Sequence, residues 1–238
     1  MSVRVYRLDT AHIQCRDSIL SLGGDEQSTT LIGCFAFLVE HEDEYILVDC
    51  GIEDLELVNG TKSSVDMWSR YDTEGTVLQE IEKVGISPER VQRVFLTHSH
   101  YDHISAVTHF KKAKIYMSAK EYDFLRSESN PQKNVLSDVI SFLMEKDAAH
   151  ELFLINDEYR DGDINCTVVG GHTPGSMLVY IGDFLFTGDS VFLKENIKDC
   201  IPIGFTTAPQ ESYEAVKRCG YHNGYIMTGH DMKTLKKI

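Results

Sequence analysis

Val94-Phe95-Leu96-Thr97-His98-Ser99-His100-Tyr101-Asp102-His103 puts three imidazoles and one carboxylate within six residues, directly after an apolar run. Such density is rarely structural. In an extended segment side chains repeat every two residues, so His98 and His100 project to the same side, as two ligands of one ion would. Asp102 and His103 then fall at the turn into a helix, where they face a neighbouring position and can serve a second ion.

Downstream the same arrangement returns. His172 follows an apolar run ending at Val169 and is framed by Gly170-Gly171 and Thr173-Pro174-Gly175, residues that permit a tight turn. Asp189 follows Phe184-Leu185-Phe186-Thr187-Gly188, His230 follows Tyr225-Ile226-Met227-Thr228-Gly229, and Asp49 ends Tyr45-Ile46-Leu47-Val48. Polar residues at the ends of several strands converge only if those ends share one edge of the sheets. His12, His41, His109, His150 and His222 lack this context and are assigned surface or ordinary core roles.

Outward from these segments the chain reads as α/β. Strands are expected at the alternating N-terminus Met1 to Thr10, then at Cys34–Val39, Tyr45–Val48, Val94–Thr97, Lys114–Met117, Leu152–Ile155, Ile164–Val169, Met177–Ile181, Phe184–Thr187 and Tyr225–Thr228. Helices are expected around Val77, Ile81 and Val84; around Tyr122, Phe124 and Leu125; through Val135, Val139, Phe142 and Leu143; and through Tyr213 and Val216 after Pro209-Gln210-Glu211. Two sheets with helices outside follow from this order. Residues 20–31 and 52–75 lack periodicity; the second stretch holds Met67, Trp68 and Tyr71, read as a core plug in preference to a substrate lid.

At 238 residues, 42% hydrophobic, one domain with a substantial core is expected. The 23 Lys and Arg against 37 Asp and Glu give a formal charge of -14, which repels polyanions, so neither nucleic acid nor an acidic membrane is the expected partner. No apolar segment reaches membrane-spanning length, and the N-terminus has no signal-type apolar core, so a cytoplasmic location is expected. The six cysteines, Cys15, Cys34, Cys50, Cys166, Cys200 and Cys219, are scattered without CxxC spacing and are expected to be reduced, with Cys50 a buried structural thiol.

The HxHxDH run, Gly171-His172-Thr173-Pro174-Gly175, Thr187-Gly188-Asp189 and Gly229-His230-Asp231, in this order, resemble the metallo-β-lactamase superfamily, and Asp49-Cys50-Gly51 extends the match towards the N-terminus. The resemblance implies a single metallo-β-lactamase-like domain over 1–238, an αββα four-layer sandwich with metals at one edge. It implies that His98, His100 and His172 bind a first ion, Asp102, His103 and His230 a second, and that Asp189 bridges them. Asp49 is expected to bind a ligand histidine by hydrogen bond and not the metal itself. Zinc suits such ligands, and iron or manganese fits the same set.

Within the superfamily the order and spacing are most similar to the N-acyl homoserine lactonases, supported by the Leu47-Val48-Asp49-Cys50-Gly51 segment and Lys194-Glu195-Asn196. Two positions depart. The lactonase tyrosine three residues after the bridging aspartate is Phe192, placed by the resemblance against substrate but without a hydroxyl to donate, and the second histidine of His-x-Pro-Gly-His is Ser176.

Two divalent ions against Asp102, Asp189 and a bridging hydroxide leave a positive excess, which favours hydroxide attack on a lactone or ester carbonyl. Asp102 is the candidate catalytic residue, passing a proton to the leaving group. A quorum-quenching lactonase acting on a small-molecule ester or lactone, with a homodimer admitted, is therefore the leading expectation. The alternatives are a thioester hydrolase resembling hydroxyacylglutathione hydrolase and a non-catalytic metal-binding member. A nuclease resembling RNase Z conflicts with the acidic balance, and a flavo-diiron oxidoreductase would replace the second histidine of the run, retained here as His100.

Overall fold

The computed structural model describes residues 3–60, 72–73 and 75–238. Strand β1 (Arg4–Arg16) leads through a single helical turn, α1 (Asp17–Leu20), into β2 (Thr29–His41) and β3 (Glu44–Val48). Beyond these lie α2 (Leu55–Gly60), the short β4 (Asp72–Thr73), α3 (Val77–Lys83), β5 (Val91–Phe95), α4 (Tyr101–Ile104), β6 (Lys114–Ser118), α5 (Ala119–Arg126), α6 (Ser137–Ala148) and β7 (Leu152–Ile155). The second half runs β8 (Glu158–Asp161), β9 (Ile164–Val168), β10 (Met177–Ile181), β11 (Phe184–Phe186), α7 (Lys194–Asp199), α8 (Pro209–Gly220) and β12 (Tyr225–Met227).

Among the described residues these strands form a seven-stranded sheet, β4-β1-β2-β3-β5-β6-β7, and a five-stranded sheet, β12-β11-β10-β9-β8. Phe35, Phe37, Ile46, Phe95 and Tyr116 of the first pack against Met177, Val179, Phe184 and Phe186 of the second, forming the central core. The other face of the large sheet is covered through Ile81, Ile104, Leu125, Val139 and Leu143, on helices or the first helical turn after His100. Leu178 and Leu185 on the outer face of the small sheet meet Val216 and Cys219 of α8. The layers are therefore αββα, the class expected from the resemblance. No helix among the described residues is long and apolar enough to cross a membrane.

Where local signals were strong, elements lie where the periodicity places them. Thr76 caps α3 through Gln79 N–H while the Gln79 side chain accepts from Thr76 N–H, and Ser118 caps α5 through Glu121 N–H. The first strand does not stop at Thr10 but continues to Arg16. The register against β2 shifts between Asp9 and Ala11, a bulge that breaks the two-residue alternation just where the pattern becomes unreadable. β8 was not expected: it is an edge strand with a largely exposed, polar sequence, Glu-Tyr-Arg-Asp, and so carries no apolar repeat. The aperiodic stretch 20–31 resolves into the end of α1, a turn and the start of β2. Met67, Trp68 and Tyr71 lie outside the described residues.

Candidate metal centre

β3 and β5 run parallel and finish side by side, and β11 and β12 do the same in the other sheet, so four strand ends open on one edge. Val48 leads into Asp49 at φ 59°, Phe95 into the His98–His103 segment, Phe186 into Asp189, and Met227 into His230. Two glycines make the approach possible. At Gly188 (φ 48°) a Cβ would stand 2.3 Å from Thr97 Oγ1, and at Gly171 (φ 91°) one would stand 2.7 Å from Ser212 N. The β12 end is stitched to β2 by Gly33 N–H to His230 O (3.1 Å) and Phe35 N–H to Gly229 O (3.0 Å), which ties the two sheets together at the site.

All seven residues expected at the site meet there. Donor atoms of His98, His100, His172 and Asp189 lie within 4.8 Å of one another, as do those of His103, Asp189 and His230. Asp189 spans both groups: Oδ1 is 3.0 Å from His103 Nε2 and 2.8 Å from His230 Nε2, while Oδ2 is 3.2 Å from His172 Nε2 and 3.5 Å from His98 Nε2. Asp102 Oδ2 approaches His103 Nε2 to 3.8 Å and His230 Nε2 to 3.9 Å. His100 and Asp102 are half-buried and the other five are buried, so the centre opens to solvent on their side.

Outer partners set the tautomers. His103 Nδ1–H donates to Asp49 Oδ2 (2.8 Å), His172 Nδ1–H to Phe205 O (2.7 Å) and His230 Nδ1–H to Gly33 O (2.6 Å). Thr97 Oγ1 gives its proton to Asp49 Oδ2, so at 3.1 Å it can only accept from His98 Nδ1–H. In the neutral rings four Nε2 lone pairs therefore face inward. His103 Nε2 and His230 Nε2 are 3.4 Å apart with no proton to share between them; two nitrogens on one tetrahedral ion at about 2.0–2.1 Å stand roughly 3.3–3.4 Å apart. His98 Nε2 and Asp189 Oδ1 are buried without a hydrogen-bond partner. The donor set fits metal.

Protonation follows from the same crowding. Burial pushes His98 and His100 well below the ordinary histidine range, aided for His98 by neighbouring His103 and for His100 by His172. For His103 burial acts in the same direction, but the carboxylates of Asp189, Asp102 and Asp49 outweigh it and hold the ring well above that range; at His230, Asp189 does the same. Asp189, although buried, is held far below the carboxylate range by His230, His103, His98 and His172.

The structure also brings in Glu121, Cys34 and Phe205, which the sequence did not mark as site residues, beside several that it did. Glu121 is buried; Oε1 accepts from Ser99 N–H (2.9 Å) and Ser99 Oγ–H (2.6 Å), Oε2 from Thr173 Oγ1–H (2.7 Å) and Gly175 N–H (2.9 Å). One side chain thus clamps the first histidine loop to the turn around His172. Ser176, where the lactonase pattern has histidine, accepts from Thr173 N–H (3.0 Å) and closes that turn. Cys34 Sγ lies 3.6 Å from Asp102 Oδ2 and groups with Asp102 and His230. Phe205 stacks on His100 (5.7 Å between centroids) and, with Phe192 at 5.7 Å from His172 and 5.0 Å from His230, makes one wall apolar. Cys50 is buried and gives its N–H to His103 O, as a structural residue does.

A family profile described as the metallo-beta-lactamase superfamily matches residues 29–230. Among curated proteins, the chain is 27% identical over 163 residues to a probable metallo-hydrolase of Methanocaldococcus jannaschii, covering 68% of each. It is 25% identical over 218 residues to an N-acyl homoserine lactonase of Bacillus thuringiensis, covering 85% of this chain and 82% of that one. Among solved structures, it superposes on a variant of the B. thuringiensis lactonase AiiA with N-decanoyl-L-homoserine at the active site: TM-score 0.80, 21% identity, 98% of this chain and 95% of that chain. AidC, a dizinc quorum-quenching lactonase in complex with a product, gives a TM-score of 0.70 at 18% identity, covering 98% of this chain and 88% of that chain.

Proposed function

The chain belongs to the metallo-beta-lactamase superfamily, and from that membership we propose that it is a one-domain, dinuclear metal-dependent hydrolase opening a lactone or ester of the N-acyl homoserine lactone class. The observation that carries this reading is the inward set of Nε2 lone pairs, oriented by Asp49, Thr97, Phe205 O and Gly33 O around an Asp189 carboxylate that reaches both ligand groups. His98, His100, His172 and Asp189 would hold one ion, and Asp102, His103, His230 and Asp189 the other. Two such ions, zinc by ligand type and iron or manganese by the same donors, would supply Lewis acidity for a carbonyl oxygen and bring the ionisation of water into the neutral range.

The protein residues do the rest. Asp102, half-buried on the open side, is placed to carry a proton at its carboxylate to the leaving alkoxide. Phe192 offers no donor at the position where the lactonases place a tyrosine, so it shapes the pocket by apolar contact and leaves a carbonyl oxygen without a hydrogen bond from that side. Phe192 and Phe205 give an acyl chain an apolar wall to lie against.

A hydrolysis screen on protein of measured metal content tests the reading, with acyl homoserine lactones, other lactones, thioesters and phosphodiesters as substrates. Metal-dependent turnover of a lactone or ester is expected. Turnover confined to thioesters would move the assignment to a thioester hydrolase, and no turnover at full metal occupancy would leave a non-catalytic metal-binding protein.

A further inference from the structure

We propose that Cys34 is itself a metal ligand, coordinating through Sγ the ion held by Asp102 and His230, so that this position is a mixed nitrogen, oxygen and sulfur site. The inference rests on the metal reading of the centre and adds to it a donor that decides which ion is held.

Geometry carries it. Cys34, Asp102 and His230 each present one donor atom within 4.8 Å of the others. Cys34 Sγ lies 3.6 Å from Asp102 Oδ2, close enough for the S–H to donate to that carboxylate while the thiol is protonated. The same separation fits two donors of one ion, a sulfur at about 2.3 Å and an oxygen at about 2.0 Å spread by roughly 110°. The backbone that carries the thiol is pinned beside His230. Gly33 before it and Phe35 after it both donate backbone hydrogen bonds to the His230 segment, and Gly33 O accepts from His230 Nδ1–H. Cys34 is thus in fixed register with a histidine whose Nε2 points at the same centre. Asp189 Oδ1, buried, without a hydrogen-bond partner and 2.8 Å from that Nε2, is a second, independent donor beside the same histidine and suits a cation there. None of the other buried cysteines belongs to such a donor group among the described residues.

The consequence is metal choice. Imidazole and carboxylate alone accept zinc, iron and manganese, whereas an added thiolate turns the position towards thiophilic ions such as zinc or cobalt and away from manganese and magnesium. Binding would release the thiol proton to solvent as the sulfur–metal bond forms.

Cobalt(II) is the probe. Metal-free protein reconstituted with cobalt should show the near-ultraviolet thiolate-to-cobalt charge-transfer band, which Cys34→Ser and Cys34→Ala abolish and Cys15→Ala and Cys50→Ala retain. The Cys34 variants should also surrender an ion to chelator at least about tenfold more readily, the floor set by losing a mere outer-sphere partner. Absence of the band in fully loaded wild type, which needs no variant to fold, overturns the proposal, as does its survival in Cys34→Ala. Elemental analysis of the same samples separates the two readings. Two cobalt ions without the band remove Cys34 and leave the dinuclear reading, whereas the band with one ion does the reverse.

Discussion

Replacing Asp49 by Asn tests whether orientation of the histidines by their outer partners is what makes the centre. Asp49 sits at φ 59°, a left-handed backbone that Asn adopts readily, so the exchange is nearly isosteric and free of the strain that Ala would add. Its carboxylate accepts three hydrogen bonds of 2.8 Å: Thr97 N–H at Oδ1, and Thr97 Oγ1–H and His103 Nδ1–H at Oδ2. An amide has one acceptor oxygen, so either its NH2 meets Thr97 N–H head-on or it faces His103. In the second case His103 turns to the tautomer with Nε2–H inward and loses its free lone pair.

A hydrogen bond to a charged group is worth about 1.5–3 kcal/mol, which converts to roughly 10–100-fold in metal affinity, the range seen when outer partners of metal-bound histidines are removed. The assay is chelator competition followed by elemental analysis, with thermal unfolding of metal-free protein as a separate check on folding. An Asp49→Asn protein that folds and holds its metal as tightly as wild type would refute the orientation argument.

Four further outcomes follow from the same contacts. Asp189→Ala withdraws a carboxylate from both ligand groups and should leave fewer than about one ion per chain after reconstitution; retention of two would break the bridging assignment. Glu121→Gln turns one of two accepting oxygens into a donor facing donors, costing about 1–3 kcal/mol and lowering Tm by roughly 3–10 °C, so an unchanged melting curve would remove the clamp. Phe192→Tyr should raise acyl homoserine lactone turnover by up to about a hundredfold if the hydroxyl reaches the carbonyl oxygen; no gain on any chain length, with strong wild-type thioester turnover, would end the lactonase assignment. The carboxylates around His103 and His230 outweigh burial and favour protons on these rings, so an ion competes with protons for their Nε2 atoms. Metal uptake should therefore release protons and weaken as pH falls, and calorimetry in buffers of different ionisation enthalpy that finds no proton release would contradict this.

Much of the candidate centre was legible in one dimension because ligand-type residues at strand ends follow short-range rules. His98, His100, Asp102 and His103 lie in one turn of chain, and His172, Asp189 and His230 each follow an apolar run and a glycine, so their types and neighbours announce them without knowledge of the fold. The helices with strong apolar spacing were readable for the same reason. Tertiary structure alone decided the rest, because the decisive contacts join distant segments through backbone pairing that no side-chain pattern encodes. Glu121 reads as an ordinary helix residue until α5 brings its carboxylate between two loops. Gly33 O and Phe205 O, which fix two ring tautomers, are backbone atoms with no signature at all. Cys34 sits inside an apolar strand as any small buried residue does, and only the pairing of that strand with the end of β12 places its sulfur beside Asp102 and His230.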